Sequence, residues 1–524
     1  MNRKIFSRQF LFSDIAILCY LALFKLILHF LTNGNYGYFR DELYYIACSD
    51  HLAFGYVDQP PLSIFLLAIN RLILGDSILA LRFLPALAGA IVVIITGLIV
   101  RQLGGGRFAQ SMAALATLIT SAYLVLDGFY SMNAFDVLFW SLAIYIIILI
   151  IRRGEPKLWL LFGVVAGLGL LNKYSIGFFG LGFIIALLFT PHRKYFLSKW
   201  LWIAGLIAFM IFLPHIIWQI QNDYPSLEFM RNASQYKNYP VSPLEFLSGQ
   251  MLLLSFINGP LCLVGLYYYF FNKEGKFYRL FGWIYLILLI VMIAIKAKIY
   301  YISPAYPMLL APGALVTEKF IRRLNWNWLK PAFIGILLIF GIIVTPIAIP
   351  VLPVETLIKY EVFLGIVPPQ TERVELEALP QHFADRFGWK EMVATVAKVY
   401  QNLSPEEQNK CVIFVRNYGE AGAIDFFGKK YNLPKAICAH NNYWLWGQDQ
   451  VDKAYDVAIV FGWSRNIQEN LDDLRSPDRF EHVELAATTK CRYCMPFENN
   501  RPIFLCRNPK FSFKDIWPEE RFYY

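Results

Sequence analysis

The sequence predicts an α-helical polytopic membrane protein, with about eleven transmembrane helices and an exported α/β domain at its C-terminus. Three observations carry that expectation. The 524 residues are 57% hydrophobic and only 16% charged, whereas soluble domains carry about 25% charged residues. Apolar runs of membrane-spanning length recur up to residue 351. Beyond it the composition turns polar and mixed. The net charge of +10 does not point to nucleic acid, because the excess Lys and Arg flank apolar runs and form no basic block with interleaved aromatics.

The first span covers about 11–31, after Arg3, Lys4 and Arg8. It is too long for the apolar region of a signal peptide and no small-residue cleavage site follows, so it reads as an uncleaved helix. The next spans cover about 78–100, 108–126, 134–151, 158–171, 175–190, 200–218, 250–271, 280–295, 302–318 and 331–351. The pair at 158–171 and 175–190 is short and split by Lys173, so counts from ten to thirteen fit the sequence.

The distribution of basic residues orients these spans. With the N-terminus in the cytoplasm, the cytoplasmic segments hold eighteen Lys and Arg against the acids Glu155, Glu274 and Glu318. The opposite face holds Arg40, Asp41, Glu42, Asp50, Asp58, Asp127, Asp223 and Glu228. The expected organisation is a membrane domain at 1–351, with exported loops at 32–77 and 219–249, and an exported domain at 352–524. The expected location is the plasma (inner) membrane, with the C-terminal domain periplasmic.

In the C-terminal part, 411–415 and 456–461 read as strands, and 388–401 and 419–431 as helices. Five of the eight cysteines lie there. Cys491-Arg-Tyr-Cys494 has no second CxxC or His pair to complete a zinc set, and a disulfide involving Cys491, Cys494 or Cys506 is the expectation in an oxidising compartment.

The chemistry concentrates after the first span, in Tyr36-Gly-Tyr-Phe-Arg-Asp-Glu-Leu-Tyr-Tyr45. Charges at a membrane face are costly unless solvated, paired or functional. Adjacent carboxylates on a helix diverge by about 100°. One of Asp41 and Glu42 is therefore a base or electrostatic group and the other orients a partner, against the bland alternative of an Arg40–Glu42 surface pair. Asp58-Gln-Pro-Pro follows. Asp58 either caps the amphipathic stretch Leu62–Leu74 or joins a site with Gln59. Asn133 and Asp136 share a helix face where the fourth span opens, as site groups or as an interhelical hydrogen bond. Lys173, Lys296 and Lys298 break the basic-inside trend; they either neutralise a phosphate or snorkel at helix ends.

The order is an acid pair after span one, an acid-x-Pro-Pro run, a polar pair opening span four, a lysine after span five, and Lys296 and Lys298 before Tyr300-Tyr-Ile-Ser-Pro-Ala-Tyr-Pro307 at a late span; it resembles the superfamily of protein O-mannosyltransferases and aminoarabinose-lipid A transferases. These are integral membrane glycosyltransferases of the GT-C type, near glycosyltransferase family 39. The resemblance covers roughly 10–320. The stretches Asn417-Tyr-Gly-Glu-Ala-Gly-Ala-Ile-Asp-Phe-Phe427 and His440-Asn-Asn-Tyr-Trp-Leu-Trp-Gly447 are similar to the exported domain of bacterial members.

The resemblance implies a polyprenyl-phosphate-linked sugar donor. It implies Asp41 as catalytic acid with Glu42 as companion. Arg40, Lys173, Lys296, Lys298 and Tyr301 would meet the donor phosphate, with Tyr44, Asp58, Gln59, Asn133 and Asp136 lining the site. Gln59 stands where aminoarabinose transferases usually carry Lys, and Asn133 where many members carry Asp. Both departures argue against aminoarabinose and leave a metal site without support, so no cofactor is required. The expected reaction is inverting transfer to a hydroxyl of an envelope lipid, glycan or protein. Rival classes are a transporter or flippase, which predicts inverted repeats and mid-bilayer polar groups that are not seen, and an envelope scaffold. Nucleic acid is not an expected partner.

Overall fold

The computed structural model describes residues 13–367, 370 and 372–524. Arg3, Lys4, Arg8 and the start of the first expected span lie outside the described residues. Helices stand at all eleven expected positions, but they are not eleven straight rods. Among the described residues, six are long and apolar enough to cross a membrane: Asp14–Thr32, Ile78–Gln102, Met132–Arg153, Lys199–Gln221, Gly275–Ala294 and Leu329–Ala348. Three more are bent pairs, which raises the number to as many as nine by length and composition. The last two positions hold the shorter Leu158–Asn172 and a run broken at Thr120 into Arg107–Ile119 and Ser121–Leu126.

Local chemistry explains the ends and the breaks. Ser131 opens Met132–Arg153 by accepting from the Asn133 N–H, and Gly154, at φ 68°, stops it in the left-handed region that glycine adopts without steric cost. The expected span 250–271 begins earlier, at Pro243, and bends by 108° between Leu253 and Asn258. Ser255 and Phe256 both have positive φ there. The Ser255 hydroxyl donates to the Ile119 carbonyl at 2.7 Å, which ties the break to a neighbouring helix. Further along, helices Asn258–Phe271 and Pro307–Leu324 touch backbone to backbone. A Cβ on Gly265 would collide with the Leu309 carbonyl, and one on Gly313 with the Leu261 carbonyl.

Asp127, counted among the charges of the face opposite the cytoplasm, is buried and ion-paired with the buried Lys25 at 2.6 Å.

Beyond residue 410 the chain forms a five-stranded sheet: β1 (Cys411–Val415), β2 (Ala436–Cys438), β3 (Val457–Phe461), β4 (Phe480–Thr488) and β5 (Pro502–Pro509). The order is β2-β1-β3-β5-β4. β1 pairs in parallel with β2 and β3, and β5 runs antiparallel to β3 and β4. β1 and β3 are buried throughout and read as unbroken apolar runs, the pattern of strands covered on both faces. Of the two expected helices, 388–401 forms as Trp389–Gln401, and 419–431 forms as Tyr418–Phe427 followed by a 3-10 turn at Gly428–Tyr431.

This sheet caps one end of the helical bundle, and two glycines set the fit. A Cβ on Gly422 would stand 2.8 Å from the Leu43 carbonyl carbon, and one on Gly419 would collide with the Arg40 side chain. Helix Tyr418–Phe427 thereby lies directly against helix Arg40–Asp50.

Candidate active site

Helix Arg40–Asp50 starts at Phe39, and its first turn separates the two carboxylates. Glu42 turns inward. Its Oε1 accepts from Arg82 Nε at 2.8 Å and from the Tyr130 N–H at 2.8 Å; its Oε2 accepts from Arg82 Nη2 at 2.7 Å and from the Phe39 N–H at 2.8 Å. Both side chains of the ion pair are fully buried. Arg82 also donates to the carbonyls of Asn33 and Gly37. The Arg40–Glu42 surface pair does not form. Glu42 has no lone pair left for a substrate, and the companion role expected for it becomes that of an anchor beneath the 33–39 turn.

Asp41 turns the other way. Its side chain is 35% exposed and accepts from the Tyr418 hydroxyl at 2.9 Å, with Arg40 Nε at 3.7 Å. Tyr418 reaches it only because Gly419 and Gly422 admit the neighbouring helix.

Arg40 is not a lone phosphate receptor. Its guanidinium lies 3.5 Å from Glu372 and 3.7 Å from Asp385, over the Tyr418 ring. Lys298 donates to Glu372 at 3.0 Å, and Lys237 lies 4.0 Å from it. Burial works against ionisation of Glu372, but Lys237, Lys298 and Arg40 together hold its carboxyl below the usual carboxylate range. Burial pushes Asp385 up to about 6, against the pull of Arg40. Lys237 and Glu372 were missed in the sequence, where each is one charge in a polar stretch with no motif around it. Lys296, by contrast, is exposed at φ 51° and makes no ion pair among the described residues.

A second cluster forms where helices Leu158–Asn172 and Ser175–Leu188 meet. Lys173 Nζ donates to Asn133 Oδ1 at 2.7 Å and lies 3.6 Å from Asp136. It also stands 4.9 Å from the Tyr301 ring centre and 5.6 Å from that of Tyr300. Ser175 donates to Asp136 at 2.5 Å. Four residues chosen from distant parts of the chain, Asn133, Asp136, Lys173 and Tyr301, thus come together.

Asp58 caps nothing: the helix after it starts at Pro61 without a side-chain cap. Instead its carboxylate accepts from the Tyr44 hydroxyl at 2.9 Å. Asn442, from the C-terminal part, hydrogen-bonds Tyr44 with its amide nitrogen and accepts from the Val57 N–H at 3.1 Å. Burial raises Asp58 to about 6, in spite of the Tyr44 hydrogen bond. Gln59 is buried, and neither atom of its amide has a partner among the described residues. No group of three or more His, Cys, Asp or Glu arranged to hold a metal ion occurs among the described residues. The described cysteines are free thiols. Cys506 lies on β5, whereas the Cys494 N–H donates to Cys491 Sγ at 3.2 Å.

Parts of the chain are similar to known proteins. Residues 58–218, which carry Asp58, Gln59, Asn133, Asp136 and Lys173, match the family described as dolichyl-phosphate-mannose-protein mannosyltransferase. Lipid A galacturonosyltransferase RgtD from Rhizobium johnstonii is 26% identical over 221 residues, 41% of this chain and 46% of that protein. The match therefore spans about half of that relative's length. The fold is similar to that of ArnT from Cupriavidus metallidurans, solved bound to undecaprenyl phosphate and in the apo state. The TM-scores are 0.60 and 0.59 at 13% identity, covering 93% of this chain and 97% of that one. The chain is thus similar to ArnT in fold, and its segment 58–218 is similar to the mannosyltransferase family.

Proposed function

We propose that this protein moves a sugar from a polyprenyl-phosphate donor to a hydroxyl of an envelope lipid, glycan or protein, with inversion at the anomeric carbon. The observation that carries the reading is the divergence of Asp41 and Glu42: one carboxylate is fully engaged in the fold, and the other is accessible and held by Tyr418. In the proposed step the acceptor O–H gives its proton to Asp41, and its oxygen attacks the anomeric carbon. The bond from that carbon to the phosphate oxygen breaks, and its electron pair leaves with the polyprenyl phosphate. Lys173, backed by Tyr300 and Tyr301, stabilises the charge that builds on the phosphate, with Lys298 and Arg40 nearby.

The same reading takes the bundle as crossing the inner membrane with the N-terminus cytoplasmic. It divides the chain near residue 351 and sets the C-terminal sheet outside the cytoplasm, with about eleven crossings if the broken and short helices each count as one. Among the described residues Asp136 is the one carboxylate within 4.0 Å of Lys173, which suits a bound phosphate better than a translocated cation.

The test is incubation of purified protein with a radiolabelled polyprenyl-phosphate sugar and an envelope extract. Release of polyprenyl phosphate with label in the extract is expected. Label that crosses a vesicle membrane still attached to its lipid would favour a flippase and overturn the reading. A mass-spectrometric comparison of glycolipids and glycoproteins between a deletion strain and its parent then names the acceptor.

A further inference from the structure

The loop that joins β4 to β5 carries Cys491-Arg-Tyr-Cys494, and the transfer step above does not use it. Hydrogen bonds within the loop close it. The Thr489 N–H donates to the Arg501 carbonyl at 2.9 Å, the Arg501 N–H to Thr489 Oγ1 at 2.8 Å, and the Cys491 N–H to Asn499 Oδ1 at 3.0 Å. The middle is fastened as well. Met495 is buried in a cluster with Val354, Leu357, Leu379 and Phe383, and the Tyr493 hydroxyl donates to Glu355 at 2.6 Å. The two cysteines therefore have fixed places.

Those places suit sulfur chemistry. The Cys494 N–H donates to Cys491 Sγ at 3.2 Å, and the two thiols hydrogen-bond each other. Behind them stands Gly388, at φ 90°, which opens helix Trp389–Gln401. A Cβ on Gly388 would lie 3.0 Å from Cys491 Sγ and 3.3 Å from the Cys494 Cβ, so the bare glycine is what admits the pair to the start of that helix. A helix N-terminus favours a thiolate over a thiol.

The two cysteines are also unlike each other. Cys491 is half-buried, whereas Cys494 is 5% exposed. The Cys494 thiol lowers the Cys491 pKa to about 7, helped by the N–H groups of Tyr493 and Cys494 and opposed by burial and by Glu391. Cys494 is pushed up, first by the same hydrogen bond and then by burial. An accessible, acidic thiol followed by a buried, resolving one is the division of labour that thiol–disulfide exchange requires. The other cysteines of the sheet are placed differently: Cys411, Cys438 and Cys506 are buried in β1, β2 and β5.

We propose that Cys491 and Cys494 form a reversible thiol–disulfide exchange site, with Cys491 as the attacking thiol, Cys494 as the resolving thiol and an external disulfide as the substrate. The Cys491 thiolate attacks one sulfur of that disulfide. A bond forms between the two sulfurs, the external S–S bond breaks, and the first half leaves as a thiolate that takes up the proton Cys491 has lost. The Cys494 sulfur then attacks Cys491 and expels the second half, which takes up the Cys494 proton. Two protein thiols are oxidised to one disulfide, and the external disulfide is reduced to two thiols. Excess thiol runs the same steps backward. Neither the site nor its test rests on the transferase reading.

The experiment equilibrates the full-length protein, in detergent, with mixtures of reduced and oxidised glutathione, then quenches in acid, alkylates and digests. By mass spectrometry the peptide holding Cys491 and Cys494 should pass from dithiol to internal disulfide as the oxidised share rises, and return as it falls. Cys411, Cys438 and Cys506 should stay reduced. In Cys494→Ser, glutathione should accumulate on Cys491. In Cys491→Ser, Cys494 should take up about ten-fold less, because its sulfur is buried. A pair that stays reduced at every ratio overturns the proposal, as does a disulfide that excess reduced glutathione does not open, a bridge to Cys506, or glutathione on Cys494 in preference to Cys491. The unaltered protein gives the first three of these results, so the proposal can fail even where a serine variant does not fold.

Discussion

Asp41 and Glu42 are neighbours in the chain and chemically almost the same, yet they stand in opposite regions of the molecule. Around Glu42 everything is closed: four donors fill its two oxygens, and its partner Arg82 is fully buried. Around Asp41 the carboxylate is a third exposed and has one hydroxyl donor. A helix turns by about 100° per residue, and that rotation alone separates a buried, paired carboxylate from an accessible one. A buried ion pair adds little net stability, but breaking it from one side is costly because the remaining charge has no solvent. An exposed carboxylate carries the opposite risk: its loss is cheap for the fold and costly for chemistry.

The largest effect should come from Asp41→Asn. The amide keeps the shape and can still accept from Tyr418, but it cannot take a proton. Single-turnover sugar transfer should fall by about 10²–10⁴, with the melting temperature in detergent unchanged. Transfer within a few-fold of the unaltered protein would remove Asp41 as base and make Asp58 or Asp136 the candidate.

Glu42→Gln and Arg82→Met test the other side of the pair. Each should cost about 3–5 kcal/mol of stability, seen as lower folded yield and earlier thermal unfolding. Glu42→Gln with normal stability and abolished turnover would mean that the two carboxylates share one role. Tyr418→Phe is a gentler probe: losing one hydrogen bond to a charged group, worth about 1.5–3 kcal/mol, should lower turnover roughly ten-fold or more while the protein stays folded. Unchanged turnover would detach the C-terminal helix from the site.

The smallest effect concerns pH. Asp58 is raised to about 6 in the folded protein, chiefly by burial, from an ordinary value near 3.8. Between these values the folded state keeps a proton that the unfolded state has lost. Asp58 therefore makes the protein progressively less stable as pH rises from about 4 to about 6. Asp58→Asn should flatten that part of a melting-temperature profile relative to the unaltered protein. Parallel profiles would show that the carboxyl is solvated.

Much of the helical scaffold was legible because a membrane span announces itself by length and apolarity alone. The breaks were not. Residues 250–271 read as one span, yet two positive-φ residues and a hydroxyl bonded to another helix fold the run back on itself. In the site, Asn133, Asp136, Lys173 and Tyr301 could be picked out because polar groups at span ends are rare enough to stand out. Glu372 and Lys237 could not, since a charge in a polar loop is unremarkable until a fold brings three cations around it. Asp58 looked equally good as a cap, and only the Tyr44 and Asn442 contacts decide its part.

The sequence by itself determined the membrane-protein class, the positions of the helices, the polar C-terminal part with its two apolar central strands, and the divergence of two adjacent carboxylates. Each of these depends on local periodicity and composition, which a linear chain displays directly. Tertiary structure decided which carboxylate is which, that Arg40 answers to Glu372 and Asp385, and that Tyr418 and Asn442 complete a site more than 370 positions away from Asp41 and Tyr44. Those outcomes follow from close backbone approach at Gly419 and Gly422 and from charge balance in a buried space, neither of which any stretch of sequence contains alone.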